Sequence, residues 1–182
     1  MKDNKCDKNT PRSQKVVPTS DFNYEIKDLS KLKPFSENIR YGFRYAWANP
    51  SVLIVMSYDN DTKTIHVWDE SYKSKVHREE LTRSIKDRVG KSIVFCDPID
   101  PSIIAYMNSR GVSAIGAIRY KNSVLNGMKF LRSHKIIVDP KCTGLISELQ
   151  SPGGYGYAID AMRYGLEIDI IESSSLGTEG LL

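Results

Sequence analysis

The feature that most limits this chain's fold is a single change in hydrophobic period. Before it, three short β-rich runs follow one another closely. Arg40 to Trp47 alternates aromatic and other residues and is broken by Asn49-Pro50. Val52 to Tyr58 is apolar and β-branched, Asp59-Asn60-Asp61 is a polar turn, and Thr64 to Trp68 alternates again around Ile65 and Val67. Three strands on short connections predict an antiparallel meander. After it the spacing turns helical: Leu81, Ile85 and Val89 recur every four residues within His77–Val89, with Glu79 and Glu80 near the start.

The remainder alternates. Short apolar strands are expected at Ser92–Cys96, Val112–Ile118 and Lys135–Asp139. Helices are expected at Pro101–Arg110, Ser123–Arg132, Cys142–Gln150 and Tyr157–Ile168, with the Gly/Pro turn Ser151–Gly156 between the last two. A meander followed by strand–helix alternation gives an α/β fold, a mixed sheet with helices on both faces. That succession suits an RNase H-like fold and other mixed α/β domains alike. Residues 1–36 hold Pro11, Pro18 and Pro34 among Lys, Asp, Asn and Ser, with little periodicity. They are expected to form a flexible or loosely docked arm, with residues 37–182 as the folded domain.

With 182 residues there is room for one domain and a tail. The longest apolar run, Val52–Met56, falls far short of the about 20 residues that cross a bilayer. Met1–Gln14 has no apolar signal core, so the expected setting is the cytoplasm, without membrane. Cys6, Cys96 and Cys142 are odd in number and lack metal-ligand spacing, which implies reduced thiols. The net charge of +4 is concentrated at the start, where residues 1–40 hold 9 Lys/Arg against 6 Asp/Glu. A body near neutrality does not by itself establish nucleic-acid binding.

In parallel sheets functional side chains gather at the carboxyl ends of strands. Asp97 directly follows a strand and precedes Pro98, so its carboxylate should leave the sheet edge; capping the next helix is the alternative, although Asp100 is better placed for that. Asp160 lies on the final helix, with Arg163, Tyr164 and Glu167 at helical spacing, and by pattern alone reads as a solvated face residue or an i,i+3 partner of Arg163. Asp69-Glu70 closes the third strand of the meander. The chain contains neither G-x-x-x-x-G-K-[ST] nor G-x-S-x-G, which excludes a P-loop motor and a nucleophile elbow. His66, His77 and His134 are too scattered for a metal or nucleophile cluster.

Five stretches in order resemble the C-terminal RNase H-like nuclease domain of tailed-phage terminase large subunits. Tyr41-Gly42-Phe43-Arg44-Tyr45-Ala46 with Asn49-Pro50-Ser51 is similar to the opening strand, Gly-x-Asp-(aromatic)-Gly before Asp-Pro. Ile65-His66-Val67-Trp68-Asp69-Glu70 resembles the strand ending in Asp-Glu, and Cys96-Asp97-Pro98-Ile99-Asp100-Pro101-Ser102-Ile103 the Asp-Ser-x-Glu-Pro-x-Ser-Ile motif. Lys121-Asn122-Ser123-Val124-Leu125-Asn126-Gly127-Met128 resembles the Gly-x-x-Ser-Val-x-x-Gly turn and helix, and Ile159-Asp160-Ala161-Met162-Arg163-Tyr164 the closing Ile-Asp-Ala-x-Arg-Tyr helix.

The resemblance implies a two-metal endonuclease for double-stranded DNA, with Mg or Mn as cofactor. Its partners would be other packaging proteins: the terminase ATPase or small subunit and the portal. Asp97 and Asp160 would be the catalytic metal ligands, helped by Glu70. Lys121 would touch nucleic acid, and Arg44, standing in place of a metal ligand, could contact a phosphate itself. Two positions depart from the family pattern. Arg44 stands where the first-strand Asp is expected, and Tyr157 where a His precedes the last Asp by three residues. The Ser151–Gly156 segment is also shorter than the hairpin usual there. A carboxylate and a divalent ion at about 4 Å attract by roughly 8 kcal/mol at an effective dielectric near 20. Arginine removes that attraction and substitutes a repulsion, so cleavage is expected to be impaired. The alternative is a catalytically degenerate, stand-alone homologue that binds DNA or a packaging partner.

Overall fold

A computed structural model describes residues 21–32, 38–153 and 155–176. In chain order the elements are β1 (Asn23–Ile26), β2 (Ile39–Arg44), β3 (Ser51–Asp59), β4 (Thr64–Lys73), α1 (Arg78–Val89), β5 (Ile93–Cys96) and α2 (Pro101–Ser109). They continue as β6 (Ser113–Gly116), α3 (Ser123–Ser133), β7 (Lys135–Val138), α4 (Thr143–Gln150), α5 (Tyr157–Gly165) and α6 (Glu167–Leu176). The strands form one sheet in the order β1-β7-β4-β3-β2-β5-β6. β3 is antiparallel to β2 and β4, and the outer pairs are all parallel, so β2, β5, β6, β4, β7 and β1 end along the same edge.

Both faces are covered. Tyr41, Phe43, Leu53 and Val94 pack under α1 and α2, while Val52, Ile54, Met56 and Val138 pack under α3, α4 and α5. This explains the unbroken apolar run of β3, whose side chains alternate between two interiors. The mixed sheet with helices on both faces is thus as expected.

Three boundaries are corrected. The segment expected as a flexible or loosely docked arm contributes a strand to the sheet, β1, which pairs in parallel with β7 and buries Phe22 and Leu29. Leu29 is further pinned by its amide donating to Asp139 Oδ2 at 3.0 Å. A four-residue strand with two flanking apolar anchors is too short to show a period. Residues 1–20 and 33–36 of that arm lie outside the described residues. β4 runs on past Trp68 to Lys73 because a bulge opposite Val55/Met56 absorbs one residue and restores the inward alternation. The expected final helix, Tyr157–Ile168, divides at Leu166 into α5 and α6.

The seat of α5 on β2 sets up the site. A Cβ built on Gly42 would overlap the Ala161 carbonyl oxygen and lie 2.7 Å from the Gly165 nitrogen, so only glycine lets helix and strand backbones meet. Gly42 and Arg44 share the strand face that α5 covers. Asp160 on the first turn of α5 is thereby brought over the end of β2.

Candidate active site

Arg44 is the last residue of β2, and Asp97 follows the last residue of its parallel neighbour β5. The Asp97 amide donates to the Phe43 carbonyl at 2.9 Å, which continues the ladder one step and aligns the two side chains. Asp97 is 6% exposed, and its Oδ1 accepts from the Ile99 amide at 3.0 Å, an Asx turn that fixes the carboxylate. The helix-capping role falls to Asp100, whose side chain accepts from the Ser102 amide at 3.0 Å.

Arg44 reaches across both acids. Its Nε lies 3.2 Å from Asp160 Oδ2 and 4.0 Å from Asp97 Oδ2. The Asp160 contact is close enough for an ion pair but is not aligned as a hydrogen bond, and Arg44 Nε and Nη1 are both buried without a hydrogen-bond partner. The guanidinium instead lies over the Tyr157 ring, 4.2 Å from its centroid. The two positions that depart from the family pattern are therefore in contact with each other. Two more arginines complete the cluster: Arg163 bonds Asp160 Oδ1 one turn along α5, and Arg119 Nη2 lies 3.9 Å from Asp97 Oδ1. Burial, followed by the charges of Asp97 and Asp160, pushes the Tyr164 hydroxyl up to about 12.

The structure unites Asp97, Asp160 and Arg44 and directs Glu70 elsewhere. Glu70 stands on β4, two strands from β2, roughly 10 Å across the sheet. Its two oxygens accept the Gly144 and Leu145 amides at 2.7 and 2.9 Å, capping α4. Burial raises its carboxyl above the usual range, against the lowering effect of those two bonds. Glu70 as a third metal ligand is thus corrected: its lone pairs serve a helix terminus. Lys121 is exposed in the turn before α3. Among the described residues, no group of three or more His, Cys, Asp or Glu side chains is placed to hold a metal ion. Two carboxylates with an arginine between them do not fit a two-metal centre, which needs oxygen ligands around both cations.

Sequence reasoning missed Arg119 and Glu148 and gave Tyr164 no role beyond its place on the final helix. Arg119 follows the end of β6, so the strand-end rule that selected Asp97 would have found it. Glu148 is buried, accepts the Ala158 and Ile159 amides at 2.9–3.0 Å and the Tyr72 hydroxyl at 3.0 Å, and so caps α5. A Cβ on Gly156 would overlap that carboxylate.

The family model for the terminase RNase H-like domain matches residues 42–166, about the span from Gly42 to the break after α5. This chain belongs to that family. A curated relative, the PBSX phage terminase large subunit of Bacillus subtilis (strain 168), is 22% identical over 138 residues, covering 75% of this chain and 31% of its own length. The chain therefore spans about a third of that terminase relative. The nuclease domain of the g2p large terminase from bacteriophage SPP1, solved with bound Mn, superposes with a TM-score of 0.69 at 23% identity, covering 85% of this chain and 99% of that one. The P22 large terminase nuclease domain gives 0.64 at 17% identity, covering 85% and 90%. The nuclease of thermophilic phage G20c, solved with zinc, gives 0.52 at 15%, covering 71% and 80%. At these identities the terminase structures establish the fold, and two of them carry a divalent metal. No helix among the described residues is long and apolar enough to cross a membrane.

Proposed function

We propose that this chain serves viral DNA packaging as a terminase nuclease-type domain that engages double-stranded DNA, with metal-dependent cleavage impaired. The observation that carries the reading is the Arg44 guanidinium lying between Asp97 and Asp160. Cleavage by this fold needs carboxylates to gather cations that clamp the attacking and leaving oxygens. Here a fixed positive charge neutralises the two acids, and Mg or Mn would have to displace it. Asp97 and Asp160 are the residues that would then ligate the ion. With Arg119 and Arg163 beside it, the same edge presents donors suited to phosphate, as does exposed Lys121. Packaging would place the chain in the cytoplasm of a bacterial host, working with a terminase ATPase or small subunit and the portal.

The test is plasmid cleavage in Mn²⁺ by the unaltered chain, by Arg44→Asp and by Asp97→Ala. The expected result is little or no cutting by the unaltered chain and a gain of at least about 100-fold in Arg44→Asp. Cutting by the unaltered chain that vanishes in Asp97→Ala would overturn the impairment. Silence in all three, with duplex binding retained, would favour the catalytically degenerate binding module.

A further inference from the structure

A cleft of about 360 Å³ opens beside the carboxylate pair, between the turn after β5, the β6–α3 connection and the helices α5 and α6. Pro98, Ile118, Arg119, Tyr120, Ser123 and Arg163 are among the residues that line it. Its polar lining is mostly donor. The Arg119 side chain is 63% exposed and lies 3.9 Å from Asp97, so it joins the cleft to the site. The eleven-residue helix α3 begins at its wall, and Asn122, left-handed at φ 68°, gives no side-chain cap. The first turn of α3 carries the positive end of its dipole; the Ser123 amide donates to the Tyr120 carbonyl at 3.1 Å, and the Val124 and Leu125 amides have no helical carbonyl to bond.

Two buried donors point independently to a ligand. The Arg163 side chain is 8% exposed; it spends one nitrogen on Asp160 and leaves Nε without a partner. The Tyr120 hydroxyl is likewise buried and unpartnered. Both residues line the cleft. Buried donors left unbonded are costly, and an arriving acceptor with several oxygens recovers that cost. α3 is shaped around this arginine: a Cβ on Gly127 would lie 2.7 Å from Arg163 Cδ. The acid in the lining, Glu167, is engaged by the Ile118 amide.

We propose that this cleft binds a backbone phosphate of the DNA strand lying across the Asp97–Asp160 site, through Arg119, Arg163, Ser123 and the start of α3. The contact orients the strand and carries no base readout. The inference rests on the DNA-binding reading above, and two probes separate them.

The first probe is inorganic phosphate titrated into the ¹⁵N-labelled full chain, reading the Ser123 and Val124 amides. The second is a fluorescent duplex, with anisotropy measured from low to high salt. The proteins are the unaltered chain, Arg119→Ala and, as a charge-matched control on the α1–β5 connection, Lys91→Ala. Phosphate should shift both amides in the unaltered chain and in Lys91→Ala but not in Arg119→Ala. In Arg119→Ala, Kd for the duplex should rise about three- to tenfold and the log–log salt slope should fall by about 1. Duplex binding with an unchanged slope in Arg119→Ala, or amide shifts indifferent to that substitution, would overturn the subsite. Amide shifts without any duplex binding would uphold the anion site and overturn the DNA reading. Neither response would overturn both.

Discussion

At the scale of single residues, charge placement decides what the Asp97–Asp160 pair does. Arg44 balances two acids, one of them almost wholly buried, so removing it leaves charge without compensation. Arg44→Asp should therefore lower the Tm in EDTA, and Mn²⁺ should restore it. At a metal concentration about 100 times Kd the gain is about 2.7 kcal/mol, or roughly 5–10 °C for a chain of this size. The unaltered chain should show no comparable shift in differential scanning fluorimetry; an equal shift would mean that Arg44 yields to the ion. Glu148 plays a different part, holding the start of α5 with both oxygens. Glu148→Ala should cost about 2–4 kcal/mol by urea unfolding, since it strands two helix amides and the Tyr72 hydroxyl. A loss under about 0.5 kcal/mol would show that water replaces the cap. The Asp160–Arg163 pair was legible from its i,i+3 spacing. The Arg44–Tyr157 stack and the Glu148 cap were not, because each joins residues that meet only once α5 is seated.

At the scale of elements, the site depends on how closely α5 lies on β2. The meander and the helices of residues 39–150 were readable because each carries its own period, and the four-residue strands β5, β6 and β7 because they are short apolar runs set between those helices; the core confirms the faces so assigned. β1 was not, since its pairing energy comes from β7, more than a hundred residues away, and from Phe22 and Leu29 outside the strand itself. The glycines at the α5–β2 contact are equally silent in a hydrophobic pattern, yet they set the height of Asp160 above Arg44. Gly42→Ala should raise α5 from the sheet and cost about 3 kcal/mol or more, because the added methyl meets backbone rather than a flexible side chain. The Tm should fall by roughly 10 °C. A stability within about 1 kcal/mol of the unaltered chain would mean the helix shifts freely, and the Asp160 geometry would then carry no weight.

At the scale of the whole molecule, buried titratable groups make stability depend on pH in opposing ways. His134 is 6% exposed, donates from Nδ1 to the Phe130 carbonyl at 2.6 Å, and accepts the Tyr58 hydroxyl at Nε2 at 3.0 Å. That arrangement suits the neutral ring, and burial holds its pKa below the usual histidine value. The unfolded chain therefore binds a proton more readily than the native one. Stability is fully present above about pH 6.5 and is lost as pH falls below it toward the folded-state value. His66, lowered by burial as well, adds to the same trend. Glu70 and Glu167 act in the reverse sense: burial raises both, so each contributes stability as pH falls through its folded-state value. Because the trends overlap, the informative quantity is a difference. The urea midpoint of the unaltered chain should drop more between pH 7.5 and 5.5 than that of His134→Gln, which cannot take up the proton. Parallel profiles for the two proteins would show that His134 charges as easily folded as unfolded, and that the Tyr58–His134–Phe130 chain of hydrogen bonds does not hold it neutral.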